Sequence, residues 1–327
     1  MNVLIAVFSP APAWTLPRRF VDVLRREFPH HAFHDAWDAE TLRALLPDAD
    51  VAFSAAIDRN AFAALTRLKW VQSPATGVGG MLGPDLIASP IVVTSARGVR
   101  ARAIAEHVMG MTIALARLLP LVSRRQAEHA WALEEVESSG SVRTLHDRRM
   151  AIVGLGAIGL EVARLASAFG MRVSAIRRRT ELAVPASVEE VLPPDQLHDV
   201  LGRSDVVVLS APLTAETTRL IDRAALDRLK RGALLINVGR GKLVDDEAVI
   251  AALRDGRLGG AALDVFTREP LDAASPYWDL PNVIVTPHIA GAMEDYWTPL
   301  VGLFAENLRR FERGESLLNI VDKAAGY

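Results

Sequence analysis

The chain has 327 residues; half are apolar, 23% are charged, and 37 basic side chains stand against 39 acidic ones for a formal net charge of −2. This composition excludes a disordered or collagen-like chain and an overall basic field for nucleic acid; at ~150 residues per domain it suits about two domains. With no cysteine, a disulfide framework, a zinc–thiolate centre, an iron–sulfur cluster and a cysteine nucleophile are excluded as well.

The first eight residues, MNVLIAVF, lack a positive leader and read as a buried strand. No apolar run reaches the ~18 residues of a membrane-spanning helix. A soluble cytoplasmic protein with no membrane or nucleic-acid partner is therefore expected. Further runs rich in Val, Ile, Leu and aromatic residues follow at 32–33, 51–54, 70–72 and 91–94, separated by helical patterns. That alternation signals an α/β fold with a mainly parallel sheet. A long helix is predicted over about 102–132, where Ile104, Val108, Met111, Leu115 and Leu118 keep helical spacing. Residues 137–141 (ESSGS) are the most linker-like in the chain. A second series of short apolar runs follows at 150–153, 172–176, 206–210, 233–238, 261–265 and 283–286, so a second doubly wound sheet is expected. A closing helix over about 296–314 should end in a left-handed cap at Gly314.

The strongest local signal is the run Gly154, Leu155, Gly156, Ala157, Ile158, Gly159, which follows a predicted strand and opens a predicted helix. Strand, motif and helix stand in the order a dinucleotide fingerprint requires. Gly154 permits the tight turn, Gly156 lets the backbone approach a pyrophosphate, and Gly159 packs helix on strand. The next strand should end in a carboxylate if the adenosine ribose carries a free 2′-hydroxyl. It ends instead in Arg177, Arg178 and Arg179, whose guanidinium groups suit a 2′-phosphate. NADP(H) is therefore the preferred cofactor, with NAD(H) possible, although a solvated basic turn would look the same. Three later strands end near Arg240, Glu269 and His288. Singly, these are a surface charge, a loop carboxylate and a core histidine. Ligands bind at strand carboxyl ends in such sheets, so the three can converge there.

Residues 154–159, 237–241, 263–271 and 277–291, with Ala105-Glu106-His107, resemble the D-isomer-specific 2-hydroxyacid dehydrogenase family, most closely the glyoxylate/hydroxypyruvate reductases. The resemblance implies a Rossmann cofactor domain, 99–290, inserted into a flavodoxin-like substrate domain, 1–98 and 291–327, with the active site between them. It assigns Arg240, Glu269 and His288 to catalysis. It places Ala211, Pro212, Thr217, Val238, Gly239, Asp264 and Gly291 around the cofactor, and Thr76, Gly77 and Val78 in a loop whose amides hold the substrate carboxylate. It also implies a homodimer, with Trp131 on the dimerisation arm.

The implied reaction is reduction of a small anionic 2-oxo acid. Arg240 can bind the carboxylate and polarise the carbonyl. His288, as an imidazolium favoured by Glu269, can give the carbonyl oxygen its proton. The alternatives are a relative acting on another substrate, such as formate, whose dehydrogenases lack the His–Glu pair, and a non-catalytic cofactor-sensing protein of the same fold.

Overall fold

The computed structural model describes residues 1–326. The chain divides into two compact units, Met1–Val99 with Met293–Tyr327 and Arg100–Ala292. In the first unit the strands are β1 (Asn2–Ala6), β2 (Ala32–Asp35), β3 (Val51–Ser54), β4 (Trp70–Gln72) and β5 (Val92–Thr94). They form one sheet in the order β2-β1-β3-β4-β5, parallel throughout, the flavodoxin-like winding. Alternation along β1 sends Leu4 and Ala6 to one core and Val3 and Ile5 to the other, because successive strand residues face opposite ways. The closing helix, Trp297–Glu312, puts Phe304 against Phe53 and Trp70, and Gly314 beyond it is left-handed at φ +67°. Its buried Asn307 donates to Gln72 Oε1 at 3.1 Å, an oxygen that also accepts from Thr94.

The second unit has β6 (Arg149–Val153), β7 (Arg172–Ile176), β8 (Glu190–Leu192), β9 (Val206–Leu209), β10 (Ala233–Asn237), β11 (Leu258–Leu263) and β12 (Val283–Val285). Their order, β12-β11-β10-β9-β6-β7-β8, is the Rossmann winding with a seventh strand. Both faces are covered. Ala151 and Val153 enter one core, while Met150 and Ile152 enter the other. No single helix among the described residues is long and apolar enough to cross a membrane.

Three expectations need correction. The helix predicted over 102–132 is two helices, Ala101–Ala116 and Leu119–Ala127, with Leu118 between them at φ +55°. Pro120 lacks the amide that a continuous helix needs, and fits only in the first turn of a new one. The expected linker is partly helical, since a short helix covers Leu133–Ser138. The run at 261–265 begins earlier, at Leu258, through two glycines. A Cβ at Gly259 would lie 2.4 Å from Gly232 O, and one at Gly260 2.9 Å from Asn282 O. These glycines serve close strand packing. The short edge strand β8 carries no run long enough to have been expected.

Candidate active site

The fingerprint lies between β6 and the helix Ala157–Ala168. Gly154 has φ +100°, and a Cβ there would stand 2.6 Å from the Ala211 backbone. At Gly159 a Cβ would meet Gly154 O at 2.3 Å. Both positions exclude a side chain. Around Gly156, by contrast, a Cβ would find nothing within 4 Å. The helix start beside it has no capping side chain, so its first amides lack intrahelical partners. Open space against uncapped amides fits a pyrophosphate. Leu155 turns inward and is 6% exposed, so its side chain belongs to the core and only its backbone faces this space. Ala157 and Ile158 form the exposed side of the first turn only in part, being half-buried.

At the end of β7 the three arginines differ. Arg177 Nη2 donates to Leu182 O at 2.6 Å, while its buried Nε has no hydrogen-bond partner. Arg178 and Arg179 are exposed, and the charge of Arg178 acts on Glu216. After β9, Thr217 Oγ1 donates to Pro212 O at 2.8 Å and accepts from Thr214 N at 2.7 Å, which fixes the loop beyond Ala211.

After β10, buried Asn237 shapes the turn that presents Arg240. Its Oδ1 accepts from Gly239 N at 3.1 Å and its Nδ2 donates to Arg240 O at 3.0 Å. Val238 and Gly239 are buried within this turn. Arg240 itself is exposed, with Nη1 donating to Gly239 O at 2.7 Å. A Cβ on the next residue, Gly241, would fall 1.8 Å from the Phe266 carbonyl carbon. Only glycine lets the Arg240 turn lie on the loop that leads to Glu269.

Glu269 Oε2 lies 2.7 Å from His288 Nδ1, and its Oε1 accepts from Phe266 N at 3.0 Å. Burial pushes the Glu269 carboxyl up, but hydrogen bonds from His288 and Phe266, with the charges of His288 and Arg240, outweigh it and hold the carboxyl below its ordinary range. His288 Nε2 makes no hydrogen bond among the described residues, and the side chain is 53% exposed. The backbone of His288 is left-handed at φ +55°, a conformation that persists only when its surroundings impose it.

Asp264, 3% exposed, does much of that imposing. Its Oδ1 accepts from Thr286 Oγ1 at 2.6 Å and Ile289 N at 2.8 Å, and its Oδ2 accepts from Ala290 N at 2.9 Å. Thr286 Oγ1 is also 3.3 Å from His107 Nε2. Burial, partly offset by the charge of Asp264, lowers the His107 pKa. Both Asp264 oxygens thus accept hydrogen bonds from the chain itself, and Oδ2 takes only one of them. Gly291 ends the turn, and a Cβ there would lie 2.9 Å from Arg100 Cδ.

In the first unit, Thr76, Gly77 and Val78 follow β4; Thr76 and Gly77 are exposed and Val78 is buried. The three amides have no hydrogen-bond acceptor among the described residues. Trp131 stands between two short helices and is 91% exposed. Asn237, Thr286 and His107 fall within the motifs that carry the resemblance, but sequence reasoning gave them no role. An Asn at a strand end before a tight turn was a usable signal for the first; the other two act only through tertiary contacts.

A glycine turn open to a dinucleotide and an exposed imidazole backed by a carboxylate, both following strands of one parallel sheet, define a pyridine-nucleotide oxidoreductase. Residues 109–290 match the family model of the D-isomer specific 2-hydroxyacid dehydrogenase NAD-binding domain. The glyoxylate reductase of Korarchaeum cryptofilum is 35% identical over 88% of this chain and 83% of its own. A D-isomer specific 2-hydroxyacid dehydrogenase from Xanthobacter autotrophicus, solved with NADPH, has a TM-score of 0.83 at 31% identity, covering 99% of both chains. The NADPH-dependent glyoxylate/hydroxypyruvate reductase of Sinorhizobium meliloti, solved with NADP and sulfate, gives 0.82 at 29% identity over the whole of both chains. The chain belongs to the D-isomer specific 2-hydroxyacid dehydrogenase family and is an enzyme that uses a nicotinamide cofactor.

Proposed function

We propose that the protein reduces a small 2-oxo acid of the glyoxylate or hydroxypyruvate class to its D-2-hydroxy acid, with NADPH preferred over NADH. The observation that carries this reading is the 2.7 Å contact of His288 Nδ1 with Glu269 Oε2, which leaves Nε2 exposed. A protonated imidazole held in that way points its second N–H outward, where a carbonyl oxygen can take the proton. Arg240 offers the planar fork that a carboxylate and adjoining carbonyl require. The unpaired amides of Thr76, Gly77 and Val78 also suit a carboxylate, and we assign them to the substrate.

The pyrophosphate is assigned to the space at Gly156, with Ala211, Pro212, Thr217, Val238 and Gly239 shaping the adjoining turns. The nicotinamide, when bound, supplies the hydride. His288 supplies the proton, Glu269 orients the ring, and Arg240 stabilises negative charge on the oxygen. Asp264 and Gly291 hold the His288 turn in place. The arginines at 177–179 support the preference for a 2′-phosphate, as do the relatives solved with NADPH or NADP.

We also propose a homodimer in the cytoplasm. Trp131, with exposed Leu119, Val122 and Leu133 on the flanking helices, supplies an apolar arm for such contact.

A panel of 2-oxo acids assayed with NADPH and NADH separately tests this reading. Oxidation of NADPH by glyoxylate or hydroxypyruvate, with the higher kcat/KM for NADPH, is expected. Tight NADPH binding without turnover on any acid would overturn it in favour of a sensor, and equal or better use of NADH would overturn the cofactor preference.

A further inference from the structure

His30 and His31 lie in the turn between the helix Arg18–Glu27 and β2, and Glu312 is the last residue of the helix Trp297–Glu312. Both imidazoles aim Nε2 at one carboxylate oxygen: His30 Nε2 is 2.5 Å and His31 Nε2 2.8 Å from Glu312 Oε1. The three donor atoms all lie within 4.8 Å of one another. The His31 side chain is only 5% exposed. Its buried Nε2 has the distance but not the direction of a hydrogen bond to Glu312, and no other partner. Two imidazole nitrogens facing one anionic oxygen need either a proton on each nitrogen or a cation among the three donors.

We propose that His30, His31 and Glu312 form a site for one divalent transition-metal ion of the zinc type. Two imidazoles and a carboxylate are a donor set for such an ion, whereas magnesium and calcium prefer oxygen alone. Metal–ligand bonds of about 2.0–2.1 Å place tetrahedral donors roughly 3.4 Å apart. The two nitrogen–oxygen distances must open by less than about an ångström to reach that spacing, while the two nitrogens already lie within 4.8 Å of each other. His30, 60% exposed, and Glu312, 25% exposed, have room to do so. Solvent on the His30 side leaves the fourth position to water. His31 Nδ1 is 3.5 Å from the amino-terminal nitrogen, and Arg309 beside the cluster is already paired with Glu27. A bound ion would clamp the turn before β2 to the end of the last helix.

The test is zinc chloride titration by calorimetry and thermal unfolding, on a chain carrying no histidine tag and an unmodified amino terminus. The wild type should bind one zinc ion per chain and gain in Tm, while magnesium chloride should do neither. Glu312→Gln and His30→Ala should each weaken zinc binding by about tenfold or more and abolish the Tm gain. Both variants should keep wild-type reductase turnover, which checks their folding; His30 is exposed enough that its loss leaves the core intact. Zinc binding with equal affinity in wild type and variants, or no saturable binding in the wild type, would overturn the site.

Discussion

The main-chain amide of His288 donates to the carbonyl oxygen of Asp264 at 2.9 Å, while the carboxylate of Asp264 takes the amides of the two residues after His288. The end of β11 thus holds the turn that follows β12, and the left-handed backbone of His288 is kept by hydrogen bonds rather than by apolar packing.

Thr286 is the link in that arrangement to the helix Ala101–Ala116, through His107. Thr286→Val keeps the volume but removes one of the two donors to Asp264 Oδ1 and the contact with half-buried His107, at a cost of about 1 kcal/mol. We expect a lower Tm and a lower kcat, with the KM for NADPH little changed; Thr286→Ser should restore most of both. An unchanged kcat in the valine variant would show that this hydroxyl does not position His288.

Glu269 adds a dependence on pH. Its pKa is lower in the folded chain than in the unfolded one. Its contribution to stability is therefore fully present above the ordinary carboxylate value of about 4.3, and is lost as pH falls through the lower folded value. Wild type should exceed Glu269→Gln in Tm at pH 7, with the gap closing below about pH 4. A gap that stayed constant on acidification would contradict the pairing with His288.

The glycines of the fingerprint separate packing from binding. A Cβ at Gly159 collides with Gly154 O, while one at Gly156 meets open space. Gly159→Ala should lower the Tm of the cofactor-free protein. Gly156→Val should leave that Tm near wild type and weaken dinucleotide binding by about tenfold or more, because the backbone can no longer approach the pyrophosphate. Equal effects of both changes on stability would remove Gly156 from the cofactor cradle.

Arg177 donates to Leu182 O, while Arg178 and Arg179 are exposed, and we assign the 2′-phosphate to these two. Replacing both by serine should lower kcat/KM for NADPH by about tenfold or more, the scale of one or two charge-assisted hydrogen bonds. The value for NADH should hardly move. An equal fall for both cofactors would mean that these residues act on fold rather than on recognition.

Much of this was legible because its signals are local. Strand, glycine turn and helix around Gly154 occupy consecutive residues, so order alone reveals the nucleotide cradle. Arg240, Glu269 and His288 were each ambiguous; parallel strands made them meaningful, since such strands bring all their carboxyl ends to one edge. What the sequence hid lies in contacts across the fold. Nothing near Asp264 says that its oxygens are spent on residues after His288, and nothing near Gly241 says that Phe266 will lie against it. Leu118 was misread because helical spacing outweighed the proline two residues on. The strand that the apolar run at 261–265 marks starts earlier, at Leu258, because Gly259 and Gly260 carry no apolar side chain to reveal it and lie where strands pack too closely for one.

The central claim is that the imidazole of His288, held by Glu269, delivers the proton to a 2-oxo acid. The most direct measurement is kcat of His288→Ala against wild type, with NADPH and the best acid of the panel, alongside the NADPH Kd of each. A fall in kcat of about 10²-fold or more is expected, with the Kd unchanged. Near-normal turnover in the variant would contradict it.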